Sequence, residues 1–434
     1  MTRTNIGRRD LLRAGVGGVA LLGGGATLPG TASAADTAET VDVAIYVDSH
    51  VHEEYGYDPA LTAQTLLCRA LEYNELYDYA VTVVREPGFD VRELSSTGSC
   101  GDVLPSFDDW LIDQDLKPAH ENHHLIHHSE ESLGGCAWPR VSVGWGETLG
   151  KMDPFDPDRF AQKTRGTADD ALGDALQVTM HEISHTLGIG HGDGMHYDES
   201  DDVHGDPSPP GESGDVYTTP QGAPFDGENQ CGQATESKPG WSDTEYADAY
   251  YWYDCAGAKL RSNFDREHLV TIEGADDDGW EQYRLRVSGT VLERSTACDA
   301  STNDHDEVNG DTVEGYTYDG RDSYVFTGEI LEFTADDGVS VYLDCEPVLV
   351  ESVGNDLISL DGAATEGWED YTFTVTGGLR RSRENGASIN GGDRVAGRTA
   401  DGQLQSGVDS YRYWGGVLEA GFDPDGAEAS FHRV

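Results

Sequence analysis

Residues 181–191 read HEISHTLGIGH, and this stretch constrains the fold more than any other part of the chain. Two histidines at positions i and i+4 lie on one face of an α-helix, so His181 and His185 can both present a ring nitrogen to one ion. Apolar residues fall nearly opposite that pair: Leu172, Leu176, Met180, Ile183 and Leu187. The pattern predicts a helix over 167–188 with a core face and a separate site face.

The end of this helix suggests a third metal ligand. Gly188 can adopt a positive φ, which ends a helix and turns the chain so that His191 comes back toward the pair. Three neutral imidazoles leave the fourth position of a tetrahedral Zn²⁺ open for water, as in catalytic sites. Glu182 is not a ligand, but it is placed to take a proton from that water.

The predicted cofactor is therefore Zn²⁺, held by His181, His185 and His191, with Glu182 as the general base. The alternative is a solvated histidine pair with a third histidine nearby by chance. A purely structural zinc would have no use for Glu182.

The composition indicates the conditions in which the protein works and excludes some classes of partner. The 434 residues include 81 Asp and Glu against 28 Lys and Arg, a formal net charge of −53, while 37% are hydrophobic. Such a surface repels nucleic acids and anionic membranes, so no nucleic-acid partner is expected. A Debye length of about 3 Å at molar salt would remove the self-repulsion, which favours a halophilic protein.

Residues 1–35 have the three zones of an export signal. Arg8 and Arg9 precede a Gly-rich, mildly apolar run, and an Ala-Ser-Ala sequence follows at 32–34. The paired arginines resemble a twin-arginine signal. The apolar run is too short and too rich in glycine for the ~20 residues that a bilayer requires. We expect a secreted, extracellular protein with no membrane span, and a monomer.

Strands and helices are mixed over residues 36–264. The predicted elements, in order, are a buried strand over 41–50, a helix over 60–79, a strand over 79–86, a short strand around 123–128, the helix over 167–188, a long loop over 192–240 and a last helix over about 242–255. The first strand, helix and strand imply a parallel pair joined by a right-handed crossover.

Two repeats follow. Residues 269–289 match 357–377 with Trp280/Trp368 and Tyr283/Tyr371 superposing, and residues 322–333 match 409–422. Alternating strands and regular turns predict two tandem all-β sandwich-like repeats over 265–350 and 351–434. A role as a spacer and a role in binding both stay open.

Seven cysteines occur without a CxxC pair, which outside the cell favours disulfides with one thiol unpaired. Cys298 and Cys345 are the two cysteines of the C-terminal third. We predict a bridge between them.

The sequence HEISHTLGIGH resembles the extended zinc signature of the metzincin metallopeptidases. This resemblance, over about residues 40–260, implies an α+β fold: a metzincin-like zinc peptidase domain at 36–264, followed by the two repeats. It also implies a protein or peptide substrate. In that family the substrate lies antiparallel to an edge strand before the zinc helix, which corresponds here to residues 123–137.

The family also places a methionine in a turn beneath the metal. The one methionine beyond His191 is Met195, and residues 195–198 (MHYD) resemble the Met-x-Tyr form of that turn, in which Tyr197 approaches the zinc as a catalytic residue. Otherwise the turn lies farther on, near 216–221, without a methionine.

Two further clusters offer ligands. Histidines in 50–52 and 122–128 could bind a second zinc, but alternating histidines on a short strand rather indicate a partly exposed face. The acidic run 197–206 could hold Ca²⁺, although it lacks the spacing of a known calcium loop.

The predicted function is that of a secreted halophilic zinc endopeptidase. The residues alone indicate hydrolysis by a zinc-activated water, and the family resemblance implies that the substrate is a peptide. One alternative is a surface-binding or adhesion protein whose repeats do the work and whose zinc domain is vestigial. Another is a zinc hydrolase acting on a non-protein amide, such as one in a cell-wall polymer.

Overall fold

The structure is a computed structural model that describes residues 5–6, 40–85, 88–94, 100–128, 134–151, 171–190, 196–198, 216–218, 246–248, 252, 254–264, 267–275, 279–302, 305–363, 365, 367–388, 392–422 and 427–434. The chain divides into two compact units, Val41–Asn263 and Phe264–Val434 with Met1–Thr40. The described elements form an α+β structure, as predicted. The predicted signal segment 1–35 lies outside the described residues except for strand β1 (Asn5–Ile6).

Five strands of the unit Val41–Asn263 lie side by side in the order β3-β2-β4-β6-β5. They are β2 (Val41–Val47), β3 (Tyr79–Val83), β4 (Asn122–His127), β5 (Gly135–Trp138) and β6 (Val141–Trp145). Strands β2, β3, β4 and β6 are parallel, and β5 is antiparallel to β6. The parallel pair predicted from the first two strands is confirmed.

The helices of this unit are α1 (Ser49–Tyr55), α2 (Asp58–Tyr73), α3 (Cys100–Asp113), α4 (Ala171–Thr186) and α5 (Asp254–Phe264). None of the described helices is long and apolar enough to cross a membrane. The side chain of Asp48 accepts hydrogen bonds from the amides of His50 and Val51, which starts α1 and ends β2 before residue 50. The helix predicted over 60–79 instead ends at Tyr73, where the Asn74 side chain donates to the carbonyl of Ala70.

Helices α3 and α4 pack on opposite faces of the sheet. Val143 of β6 joins a core cluster with residues of α3, including Phe107. The next residue, Gly144, lies beside Val178 of α4. Because successive strand residues point to opposite faces, the sheet separates the two helices.

The expectation of an edge strand within residues 123–137 is only partly right. Strand β4 lies between β2 and β6, and all six of its residues are buried. The prediction that its histidines form a partly exposed face is therefore wrong, because helices cover both faces of this parallel sheet. Within the described residues β5 pairs only with β6, so β5 is the edge strand.

The segment after α4 differs from the prediction. Within the predicted loop, β7 (His196–Asp198) pairs antiparallel with β8 (Val216–Thr218). The last helix was predicted over 242–255, but β9 (Tyr246–Asp248) pairs with β8 and α5 runs over Asp254–Phe264. Ala256 and Leu260 are buried at helical spacing in α5.

In the other unit, each repeat forms two sheets. The first repeat has the orders β12-β15-β10-β17-β18 and β13-β14-β11-β16, and the second has β26-β19-β24-β21 and β25-β20-β23-β22. Strand β1, which is not part of either repeat, pairs with β26. The two sheets of each repeat share one hydrophobic core. The strands are β10 (His268–Glu273), β11 (Glu281–Val287), β12 (Val291–Ser295), β13 (Glu307–Asn309), β14 (Thr312–Thr317), β15 (Arg321–Phe326), β16 (Ile330–Ala335), β17 (Ser340–Leu343), β18 (Glu346–Val348), β19 (Leu357–Asp361), β20 (Glu369–Val375), β21 (Leu379–Ser382), β22 (Arg394–Ala396), β23 (Thr399–Leu404), β24 (Val408–Tyr413), β25 (Val417–Phe422) and β26 (Glu428–His432).

The predicted bridge between Cys298 and Cys345 is confirmed, with Cα atoms 5.4 Å apart. Cys136 is also in a disulfide, and Cys68 is a buried thiol.

Both repeats bury the same network of two tyrosines and two aspartates. In the second repeat the Tyr371 hydroxyl oxygen lies 2.6 Å from that of Tyr411, 3.2 Å from Asp393 Oδ1 and 3.1 Å from Asp409 Oδ2. In the first repeat the equivalent oxygens belong to Tyr283, Tyr324, Asp306 and Asp322. The carboxyl groups of Asp306 and Asp393 accept from different tyrosines of the pair, but equivalent residues form the network in both repeats, so it is part of the repeat's fold.

Candidate metal centre

Helix α4 brings two of the predicted ligands together. Nε2 of His181 and Nε2 of His185 are 3.1 Å apart, and the two rings are nearly perpendicular, at 89°. Two nitrogens bound to one Zn²⁺ at the usual Zn–N distance and a tetrahedral angle are about 3.3 Å apart. The separation is compatible with two ligands of one zinc ion, and it is also the length of a hydrogen bond between the two rings.

The turn after α4 fixes the tautomer of His185. Its Nδ1 lies 2.9 Å from the carbonyl oxygen of Ile189. A carbonyl can only accept, so Nδ1 carries the hydrogen and Nε2 of the neutral ring keeps its lone pair. Gly188 has φ of 83°, as the sequence predicted, and this turn brings Ile189 back to the ring. Such a bond orients a metal-binding histidine.

Glu182 is buried beside the histidine pair. Its side chain is 5% exposed, and burial raises the pKa of its carboxyl group to about 8. Gly135 of the edge strand β5 lies directly against it, because a Cβ atom built on Gly135 would be 2.5 Å from Cγ of Glu182. The absence of a side chain at residue 135 thus allows the carboxyl group to fit beneath β5.

Replacing Gly135 with alanine is expected to destabilise the unit. The added Cβ would meet Glu182 and also the Val143 carbonyl oxygen at 2.6 Å, and overpacking of this kind costs about 1–3 kcal/mol. Gly134→Ala is the matched control, since a Cβ there meets nothing within 4 Å. Thermal unfolding compares the two variants, and equal midpoints would contradict the tight fit at Gly135.

The opposite face of α4 is anchored in the core. Met180, Ile183 and Leu187 are buried, as the helical pattern predicted, whereas the side chains of Leu172 and Leu176 lie outside the described part. Ser184 Oγ donates to the Met180 carbonyl and accepts from Trp252 Nε1 at 2.6 Å. These contacts hold the helix so that His181 and His185 project from its other side.

The remaining predicted site residues lie mostly outside the described part of the chain. His191 and Met195 are among them, as are residues 199–206 of the acidic run. The backbone of Tyr197 is in β7, opposite Tyr217 of β8, and its side chain is outside the description. Among the described residues there is no group of three His, Cys, Asp or Glu side chains that could hold a metal ion.

The histidines of β4 have structural partners. His123 Nδ1 lies 3.0 Å from the Tyr46 hydroxyl, and His124 Nδ1 lies 2.8 Å from Ser142 Oγ. Burial lowers the pKa of His124 to about 3, so this ring is neutral. The two side chains lie on opposite faces of the sheet and do not converge on one ion.

The sequence interpretation did not identify the glycines that let α4 approach the sheet. Gly144 lies beside His124 and Val178, and Gly146 lies beside Ile126 and Thr179. Together with Gly135 they form a surface without side chains beneath the helix. The closely spaced glycines in GGCAWPRVSVGWG (134–146) were the available signal.

Both ring nitrogens and the buried carboxyl group belong to consecutive turns of one helix, covered by one edge strand. No protein-family model matches this chain, and no curated protein matches it either.

Proposed function

We propose that this chain is a zinc-dependent peptidase that is exported and acts in concentrated salt. The observation that carries the proposal is the 3.1 Å separation of the His181 and His185 Nε2 atoms next to the buried carboxyl group of Glu182. His191, at the metzincin-like spacing, would complete the ligand set. A bound Zn²⁺ supplies a Lewis acid and lowers the pKa of its water toward ~7.

The chain's own residues account for the proton transfers. A carboxylate oxygen of Glu182 accepts a proton from the attacking water and then donates it to the nitrogen of the leaving amine. Burial alone raises the pKa of this carboxyl group to about 8, so the positive charge of a bound Zn²⁺ would be needed nearby to favour the carboxylate that accepts the proton. The bond from His185 Nδ1 to Ile189 keeps the imidazole oriented throughout.

The edge strand supports a peptide as the substrate. Within the described residues β5 is paired on one side only, and its first residue, Gly135, lies against the side chain of Glu182. An extended peptide can add to such an edge through main-chain hydrogen bonds. This would bring a peptide bond to the carboxyl group with little dependence on side-chain sequence.

The test uses the purified mature chain in concentrated salt. We expect stoichiometric zinc by mass spectrometry, cleavage of casein, loss of cleavage with 1,10-phenanthroline and recovery when zinc is added back. A cell-wall polymer assayed in parallel tests the alternative substrate, a non-protein amide. A chain without zinc, or cleavage of the cell-wall amide alone, would overturn the proposal.

A further inference from the structure

Two tryptophans at equivalent positions of the repeats are exposed. Trp280 is 66% exposed and Trp368 is 64% exposed, and they are the most exposed large apolar side chains in the described part of the chain. Each immediately precedes a strand, β11 or β20. A side chain this exposed buries little apolar surface, so neither tryptophan contributes much to the stability of the core of its repeat.

In the first repeat Trp280 belongs to an aromatic row on the outer face of the sheet. Its ring centroid lies 5.6 Å from that of Tyr318. Tyr316 of β14, two residues before Tyr318, lies opposite Gln282 of β11. Tyr316 and Tyr318 are 47% and 45% exposed. We call Trp280, Gln282, Tyr316 and Tyr318 the first aromatic face. It combines flat rings with hydroxyl and amide groups.

The second repeat keeps the tryptophan but changes its neighbours. The positions of the two tyrosines are occupied by Gln403 and Gln405. Gln403 Nε2 donates to Asp370 Oδ1 at 2.8 Å. We call Trp368, Asp370, Gln403 and Gln405 the second aromatic face. The second repeat has no tyrosine at the position of Tyr318, which contacts Trp280 in the first repeat. Contact with a tyrosine therefore does not explain why both repeats have a tryptophan.

Both faces have the chemistry of a sugar-binding surface. The C–H face of a pyranose ring can stack on the indole, and its hydroxyl groups can hydrogen bond to the surrounding amide, hydroxyl and carboxylate groups. The immediate neighbours are polar rather than aliphatic, which disfavours a purely apolar protein partner.

The negative charge of the chain disfavours anionic sugars as ligands. The formal net charge of −53 opposes anionic polymers, and concentrated salt would weaken recognition that depends on ion pairs. Stacking and neutral hydrogen bonds remain under those conditions. We propose that each repeat binds a neutral hexopyranose glycan through its aromatic face. This role is independent of the proposed peptidase activity.

Two faces on one chain would bind a polymeric glycan together. Once one repeat is bound, the other meets the same polymer at a high effective concentration, so the chain binds more tightly than either repeat alone. The repeats would then hold the protein on a glycan-bearing surface.

The test measures retention of the full chain on cellulose, chitin and immobilised mannan in concentrated salt, with alginate as the anionic comparison. We expect retention on at least one neutral polymer and elution by the matching soluble oligosaccharide. Trp280→Ala and Trp368→Ala should each lower the apparent affinity at least ~10-fold through lost bivalency. The double variant should not be retained.

Leu292→Ala is the matched control, because this side chain is 47% exposed on β12, in the other sheet of the first repeat. It should bind like the wild type, and circular dichroism checks that all variants are folded. Retention on alginate alone, on none of the polymers, or without displacement by oligosaccharide would overturn the proposal. So would equal retention of the double variant and the wild type.

Discussion

Glu182→Gln is expected to reduce casein hydrolysis by about 10²–10⁴-fold, the usual contribution of general acid–base catalysis, while zinc stays bound. Glutamine has the size of glutamate, so it fits in the same space against Gly135. It cannot accept the proton of the attacking water. Because Glu182 is not among the proposed ligands, the affinity for zinc should change little.

The measurement combines casein cleavage with zinc content, both in concentrated salt. Glu93→Gln is the matched control, since it makes the same change at an exposed position of the same unit, and it should cleave like the wild type. A Glu182→Gln protein with nearly wild-type cleavage would exclude this carboxyl group as the essential base. Loss of zinc together with activity would instead indicate that it has a structural role in the site.

Local sequence patterns were sufficient for the helix that carries the site. The spacing of Met180, Ile183 and Leu187 predicted its buried face, and Gly188 predicted the positive φ that ends it. These features depend on residues within a few positions of one another. The bridge between Cys298 and Cys345 was also predictable, because few cysteines occur in that part of the chain.

The placement of strands could not be predicted in the same way. Whether β4 or β5 lies at the edge depends on which strands pair, and the partners of β4 are distant in sequence. The histidines of β4 were misjudged for that reason. Nδ1 of His123 and Nδ1 of His124 are hydrogen bonded to Tyr46 and Ser142 on neighbouring strands, whereas the Nε2 atoms of His124 and His127 are buried without a hydrogen-bond partner among the described residues.

In the repeats, the sequence indicated which residues are equivalent but did not indicate the contact between them. Tyr283 and Tyr371 superpose in the sequence comparison, as do Tyr324 and Tyr411. Identical tyrosines in two repeats suggest core positions. In each pair the two hydroxyl oxygens are 2.6 Å apart and lie beside two carboxyl groups. This contact depends on which strands pair, and the local sequence pattern does not show it.

This network contains more contacts than its hydroxyl groups have hydrogens. The Tyr371 oxygen makes short contacts to Tyr411, Asp393 and Asp409, while the two tyrosines supply one hydrogen each. The third contact is satisfied when one carboxyl group is protonated. Burial, followed by the charge of Asp393, raises the pKa of Asp409 to about 7, so we expect Asp409 to carry this proton.

The stability of the second repeat is therefore expected to fall as the pH rises. The folded-state pKa of Asp409 is about 7, above the ~3.9 of an unfolded chain, so the folded state binds the extra proton between these values. The resulting stabilisation is complete below about pH 4 and is lost as the pH rises to about 7. A shift of about three units corresponds to roughly 4 kcal/mol.

Asp409→Asn should remove this pH dependence, because an amide donates a hydrogen to the network at every pH. Urea unfolding of the full chain at about pH 5 and about pH 8 compares this variant with the wild type and with Glu428→Gln, a change at an exposed position of the same repeat. Wild type and Glu428→Gln should both lose stability at the higher pH. At about pH 5 the infrared band of protonated carboxyl groups should be weaker in Asp409→Asn than in the wild type but not absent, because the buried carboxyl group of Glu182 is also protonated there. If the two proteins give the same band and the same dependence of unfolding on pH, Asp409 does not carry the extra proton.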